Sequence, residues 1–166
     1  MAIGLSDGSL LFLDACCLIN LLATDSVDEI LDSLPYRLAV SRYVAVEEVR
    51  GRPLPESIEV LDLDGEAETT ELVRFATLLD DGEASSCALG EGGVATDDRK
   101  ALAVLRRLAP HVPTVQTPEL VHEWARRSDV TEESLRRTLR DIRKRARFHP
   151  RHDAPYHAWW VRLCGD

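Results

Sequence analysis

The stretch LLFLDACCLINLL, residues 10–22, decides the fold because it joins two kinds of structure at one acid, Asp14. An apolar run suited to a buried strand leads into Asp14, and a helix-forming run follows at once. In open parallel α/β sheets, ligands bind in the crevice beyond the carboxyl ends of the strands. Asp14 is therefore predicted to lie at the ligand-binding edge of the sheet. Other functional side chains are expected at the same edge.

Strand-like runs alternate with helical patterns along the chain, which predicts an α/β fold with a parallel sheet between layers of helices. The predicted strands cover residues 10–14, 38–41, 58–63, 94–97 and 112–116. Two helical patterns follow, at 117–129 and 131–148, whereas the tail 149–166 has no regular period. We expect a single domain over 1–166, with a core of about 10–116 and a helical C-terminal extension of about 117–166.

The composition predicts a soluble cytoplasmic protein. Its 166 residues are 45% hydrophobic, which is enough for a substantial core, but no uncharged apolar run reaches the roughly 18 residues of a membrane span. The start MAIGLSDGS has neither the basic nor the apolar segment of a signal peptide. The four cysteines include no CxxC pair, so we expect reduced thiols that behave as small apolar residues, not zinc ligands or disulfides.

Acidic and basic residues are segregated along the chain. Residues 1–98 contain 5 Lys or Arg against 21 Asp or Glu, a balance of −16, and residues 99–166 contain 15 against 8, a balance of +7. An acidic half can concentrate divalent cations, and a basic half can contact phosphate. Ordinary solvated surfaces would explain the same charges.

Four acids occupy comparable places in successive strand–helix units. They are Asp14, Glu47, Glu83 and either Asp97 or Asp98. Clustered carboxylates repel unless a cation compensates, and oxygen ligands without His or Cys favour Mg²⁺ or Mn²⁺. Each acid taken alone has a structural alternative, as a helix cap or a helix-surface residue.

Four segments resemble the acidic motifs of PIN-domain ribonucleases, the group that includes the toxins of VapBC-type modules. The segments are LLFLDACCLINLL, AVSRYVAVEEVRG, LDDGEASSCALG and GVATDDRKA. The resemblance covers roughly residues 10–116. It implies a three-layer α/β/α fold, a five-stranded parallel sheet in the order 3-2-1-4-5, and hydrolysis of RNA phosphodiester bonds with Mg²⁺ or Mn²⁺ but without a protein nucleophile.

The resemblance makes Asp14 the first acid and places Asn20 at a supporting polar position. Glu47 fits the second acidic position better than Glu48, because it stands six residues after Ser41 and four before a glycine. The choice between the two glutamates stays open at the level of sequence.

The third acid implied by the resemblance is Glu83, from the GEA start of a helix. The fourth is Asp97 or Asp98, with Thr96 as the hydroxyl neighbour. Asp97 is favoured because it ends the strand directly, although the doubled acid leaves Asp98 open.

The final long helix carries a basic stripe that is a candidate contact for RNA or for a protein partner: Arg136, Arg140, Arg143 and Arg147. The resemblance is compatible with a VapC-like toxin or with a stand-alone PIN nuclease. The toxin interpretation adds an antitoxin protein and a homodimer as candidate partners, and no membrane partner. Two other functions compete. One is a PIN-like binding module without catalysis, and the other is a haloacid-dehalogenase-type phosphoryl-transfer enzyme, which would want a second Asp where this chain has Cys16.

Overall fold

A computed structural model of the chain describes residues 4–89 and 92–165, with five parallel strands at the centre. The strands are β1 (Leu10–Leu13), β2 (Arg37–Ser41), β3 (Ile58–Leu61), β4 (Val94–Ala95) and β5 (Thr114–Val115). Their order across the sheet is β3-β2-β1-β4-β5, which confirms the expected order 3-2-1-4-5. The strands run parallel because helical crossovers return the chain to the same edge of the sheet each time.

Helices surround the sheet within the described residues. They are α1 (Ala15–Leu22), α2 (Val27–Ser33), α3 (Glu66–Ala76), α4 (Asp81–Leu89), α5 (Arg99–Leu108), α6 (Thr117–Arg127), α7 (Glu132–Arg145) and α8 (His157–Cys164). A π-helical turn covers Val44–Glu48, between β2 and β3. None of the helices in this part of the chain is long and apolar enough to cross a bilayer.

Successive side chains of a strand point to opposite faces, so each face of the sheet packs against its own layer of helices. Leu11 and Leu13 belong to a core shared with α1, α2, α6, α7 and α8, in which Trp124 and Trp160 are fully buried. A second core, around Phe75, is formed by α3, α4, α5 and β4. This confirms the expected three-layer α/β/α arrangement.

The C-terminal tail contains a helix, α8, that the irregular pattern of residues 149–166 did not predict. It depends on α7. Arg136 Nη1 donates to Leu163 O at 3.1 Å, and Arg143 Nη1 donates to Gly165 O at 2.8 Å. Carbonyls at the end of a helix lack partners within the helix, so these arginines satisfy groups that α8 cannot satisfy itself. Tertiary packing, which a local pattern does not reveal, therefore explains this helix.

Two neighbouring strands, β1 and β4, mark the place where the order of the sheet reverses. The chain leaves β1 toward β2 on one side and reaches β5 from β4 on the other. The carboxyl ends of strands at such a switch point form the usual ligand-binding crevice of open α/β sheets. Asp14 directly follows β1, and Thr96, Asp97 and Asp98 directly follow β4.

Candidate active site

Asp14 is buried at the carboxyl end of β1, with 3% of its surface exposed. It is the N-cap of α1, where Oδ1 accepts a hydrogen bond from Ala15 N at 2.9 Å. Oδ2 accepts from Thr96 Oγ1 at 2.8 Å and from the Cys16 thiol at 3.3 Å. Burial raises the pKa of Asp14, although these hydrogen bonds oppose the rise. Helix capping and a place in an active site are thus compatible roles for this residue.

Asp98 is the acid of the fourth motif that faces the other carboxylates. One oxygen, Oδ1, caps α5 by accepting from Lys100 N at 2.6 Å and Ala101 N at 2.8 Å. Its carboxylate also contacts Glu83. Its backbone N–H donates to Thr96 Oγ1 at 3.1 Å, so one hydroxyl holds both Asp14 and the start of α5.

Asp97 points into the protein, between α1 and α6. Its Oδ1 accepts from Thr117 N at 3.0 Å, and its Oδ2 accepts from Asn20 Nδ2 at 3.0 Å, from the Cys17 thiol at 3.3 Å and from Thr117 Oγ1. The sequence favoured Asp97 and left Asp98 open; the structure turns Asp97 toward α1 and α6 and brings Asp98 close to Glu83. Asn20, predicted to be a supporting polar residue, donates to Asp97.

Glu48, and not Glu47, is the acid of the second motif that interacts with Asp14. Burial, followed by the charges of Asp14 and Asp80, raises the pKa of Glu48 to about 7. Its carboxylate lies against Gly82 of α4, where a Cβ would overlap Glu48 Oε1. Glu47 is exposed and lines a surface depression between the π-helical turn and the end of β3. The sequence favoured Glu47, but within the π-helical turn, whose hydrogen bonds differ from those of an α-helix, Glu48 is the glutamate that the charge of Asp14 affects.

Glu83 lies in the first turn of α4, as the sequence predicts. Burial, followed by the charges of Asp98, Asp80 and Asp14, raises its pKa to about 7. Asp80 is an additional acid here. Its Oδ1 accepts from Glu83 N at 2.9 Å, which starts α4, and its charge acts on Asp14 and Glu48 as well. Asp80 was not among the acids that the sequence predicted for the site.

We call these five residues the acidic rim: Asp14, Glu48, Asp80, Glu83 and Asp98. The charged groups that act most strongly on Glu48 and Glu83 are all carboxylates, so each negative charge makes the next less favourable. An all-oxygen, uncompensated set of this kind suits a hard divalent cation such as Mg²⁺ or Mn²⁺. The donor chemistry of the acidic rim therefore fits the metal that the sequence predicts.

The carboxylates of the acidic rim do not form a closed cage. Among the described residues, the set of three ligand atoms that all lie within 4.8 Å of one another comes from Cys16, Cys17 and Asp97. A cation at the acidic rim would therefore require glutamate side chains to turn inward. Glu48 and Glu83 are only partly buried and have the rotatable bonds for this movement.

Two arginines of the predicted basic stripe contact the end of α8, and another arginine of α7, outside that stripe, contacts the far end of α1. Arg136 and Arg143 donate to carbonyls at the end of α8, and Arg145 donates to Ala23 O beyond the C-terminus of α1. The eight residues of α1 separate that end from Asp14 by about 12 Å. Arg140 and Arg147 are exposed and stay candidates for contacts with RNA or a protein partner.

Comparison of the chain with protein-family models, with curated proteins and with solved structures found no match.

Proposed function

We propose that this protein is an endoribonuclease that hydrolyses RNA phosphodiester bonds with Mg²⁺ or Mn²⁺. The observation that carries the proposal is the acidic rim at the carboxyl ends of β1 and β4. Within it, burial and neighbouring carboxylates raise the pKa values of Glu48 and Glu83 to about 7. Strongly perturbed carboxylates at a sheet crevice are typical of functional sites.

The choice of RNA as substrate is supported by the resemblance of four segments to PIN-domain ribonucleases. The surplus of basic residues after position 98 favours the same class of substrate, since phosphate contacts depend on positive charge. A toxin role, with an antitoxin protein that covers the acidic rim and a homodimeric assembly, is the more specific form of this proposal.

The residues of the acidic rim have distinct tasks in the proposed reaction. Asp14, Glu48, Glu83 and Asp98 would hold the cation, which when bound acidifies water and offsets the charge that develops on the scissile phosphate. Thr96 Oγ1 fixes the orientation of Asp14 through its 2.8 Å hydrogen bond. Asp14 is held by the backbone as well, so its position is set before substrate binds.

Cleavage of a panel of RNAs in Mg²⁺, Mn²⁺ or chelator tests the proposal. Asp14→Asn should lose about 100-fold or more in rate because a metal ligand is removed. It should stay folded, because Asn is also a good N-cap. Glu48→Gln should lose activity to a similar degree. Glu47→Gln is the matched control, since it makes the same change on an exposed neighbour and should keep the parent rate.

Metal-independent cleavage, or equal rates for Asp14→Asn and the parent, would refute the proposal. RNA binding without cleavage in any metal would favour the catalytically silent binding module instead. The haloacid-dehalogenase alternative gains no support from the geometry, because the position of its second Asp is occupied by Cys16, which donates its thiol hydrogen to Asp14.

A further inference from the structure

Two adjacent cysteines and one aspartate converge beside the acidic rim. The Sγ atoms of Cys16 and Cys17 and a carboxylate oxygen of Asp97 all lie within 4.8 Å of one another. Neither cysteine forms a disulfide. We propose that these three residues bind one thiophilic divalent cation, of the class of Zn²⁺, at a site separate from the acidic rim. Sequence spacing did not indicate it, because Asp97 is 80 residues from Cys17.

The carboxylate of Asp97 is held in place for this role. Asn20 Nδ2 donates to its Oδ2 at 3.0 Å, and the backbone N–H of Thr117 donates to its Oδ1 at 3.0 Å. Groups that orient a ligand in this way reduce the rearrangement that metal binding requires. Asn20 is itself buried, at 4% exposure, so the orientation is enforced by packing.

The ligand set of two thiols and one carboxylate favours a different metal from the one that the acidic rim favours. Thiolate sulfur favours Zn²⁺ over Mg²⁺, and three protein ligands are the number that open zinc sites use. Without a cation, the Cys17 thiol donates to Asp97 Oδ2 at 3.3 Å. Coordination would release the thiol protons of Cys16 and Cys17 to solvent, and the cation would replace the Cys17 proton as the partner of Asp97.

The proposed site is coupled to Asp14 through Cys16. The Cys16 thiol donates to Asp14 Oδ2 at 3.3 Å and accepts from Asp97 N at 3.2 Å. A cation on Cys16 removes the hydrogen bond to Asp14 and adds positive charge beside it. If the proposed nuclease function holds, Zn²⁺ should therefore inhibit cleavage that Mg²⁺ supports.

Titration of the full-length, reduced, metal-free protein with Co²⁺ tests the binding site without any use of RNA. Co²⁺ reports on thiolate ligands through a sulfur-to-cobalt charge-transfer band in the near ultraviolet. Zn²⁺ should displace Co²⁺ and so remove the band. We expect this band at one equivalent per chain. Cys16→Ser and Cys17→Ser should each weaken the band, and the double variant should abolish it.

Cys164→Ser is the matched control, because it removes a partly buried thiol from α8 and should leave the titration unchanged. Asn20→Ala leaves all three ligands in place and should lower the affinity for Co²⁺ about tenfold, as the loss of an orienting group does. Circular dichroism identifies any variant that fails to fold, and Asn20→Ala then serves as the independent test.

Absence of the band in the parent, or a band that survives in the double cysteine variant, would overturn the proposed site. The proposed site would also be overturned if Cys164→Ser lost the band to the same degree as the double cysteine variant. An inactive but Co²⁺-binding protein would instead contradict only the nuclease function, so the two proposals fail separately.

Discussion

At the scale of single residues, Gly82 controls the position of Glu48. A Cβ at residue 82 would overlap the Glu48 carboxylate, so Gly82→Ala should push this acid away from Asp14. The same change favours the helix, because Ala is better than Gly in an α-helix by roughly 1 kcal/mol. We expect a fold that is at least as stable and an affinity for Mn²⁺ that is about tenfold lower.

Calorimetric titration with Mn²⁺ and thermal unfolding of the same samples measure these two effects. Gly65→Ala is a suitable control, since a Cβ there would meet only the flexible Glu68 carboxylate at the start of α3. Unchanged Mn²⁺ binding in Gly82→Ala would show that Glu48 does not need its present position.

The sequence was sufficient to locate Asp14 and Glu83, because each lies where an apolar run or a helix start gives a clear signal. It was not sufficient to separate Asp97 from Asp98. Both residues follow the same strand, and the decision depends on Thr117, whose backbone N–H and hydroxyl bind Asp97 from the start of a different helix. Residues 20 positions apart form this contact, and no periodic pattern in the sequence indicates it.

At the scale of elements, α7 serves as a support for α8. Arg136 and Arg143, which are candidate contacts for RNA or a protein partner, donate to carbonyls at the end of α8. The double variant Arg136→Ala, Arg143→Ala should lose about 1 kcal/mol of stability, since both bonds are partly exposed. For a chain of this length that corresponds to a Tm lower by about 2–4 °C.

Thermal unfolding followed by circular dichroism measures this loss. Arg140→Ala, at an exposed position on the same helix, is the control and should leave the Tm unchanged. Equal Tm values for the double variant and Arg140→Ala would contradict the supporting role of α7.

The elements differ in how far local sequence determines them. The five strands could be predicted because short runs of β-forming residues alternate with helical patterns along the chain. The π-helical turn and α8 could not. The π-helical turn differs from an α-helix by one hydrogen-bond step, from Val49 N to Val44 O, and α8 needs the arginines of α7. The π-helical turn was missed because one shifted local hydrogen bond leaves no sequence pattern, and α8 was missed because its hydrogen bonds come from a distant part of the chain.

At the scale of the whole molecule, the acidic rim sets how stability depends on pH. Glu48 and Glu83 have pKa values of about 7 in the folded protein, against an ordinary value of 4.5. The folded state therefore binds their protons more tightly than the unfolded state does. The resulting stabilisation is complete below about pH 4.5 and is lost as pH rises through about 7. In chelator, the Tm should fall between pH 5 and pH 8.

A divalent cation should reverse this trend, because it favours the deprotonated carboxylates that destabilise the metal-free fold. The increase in Tm caused by Mn²⁺ should therefore be larger at pH 8 than at pH 5. The double variant Glu48→Gln, Glu83→Gln, which has no charge to lose at these positions, should show a flatter pH profile in chelator and a smaller response to Mn²⁺. If the variant and the parent have the same pH profile, the two glutamates are not coupled to folding, and the acidic rim is an ordinary solvated surface.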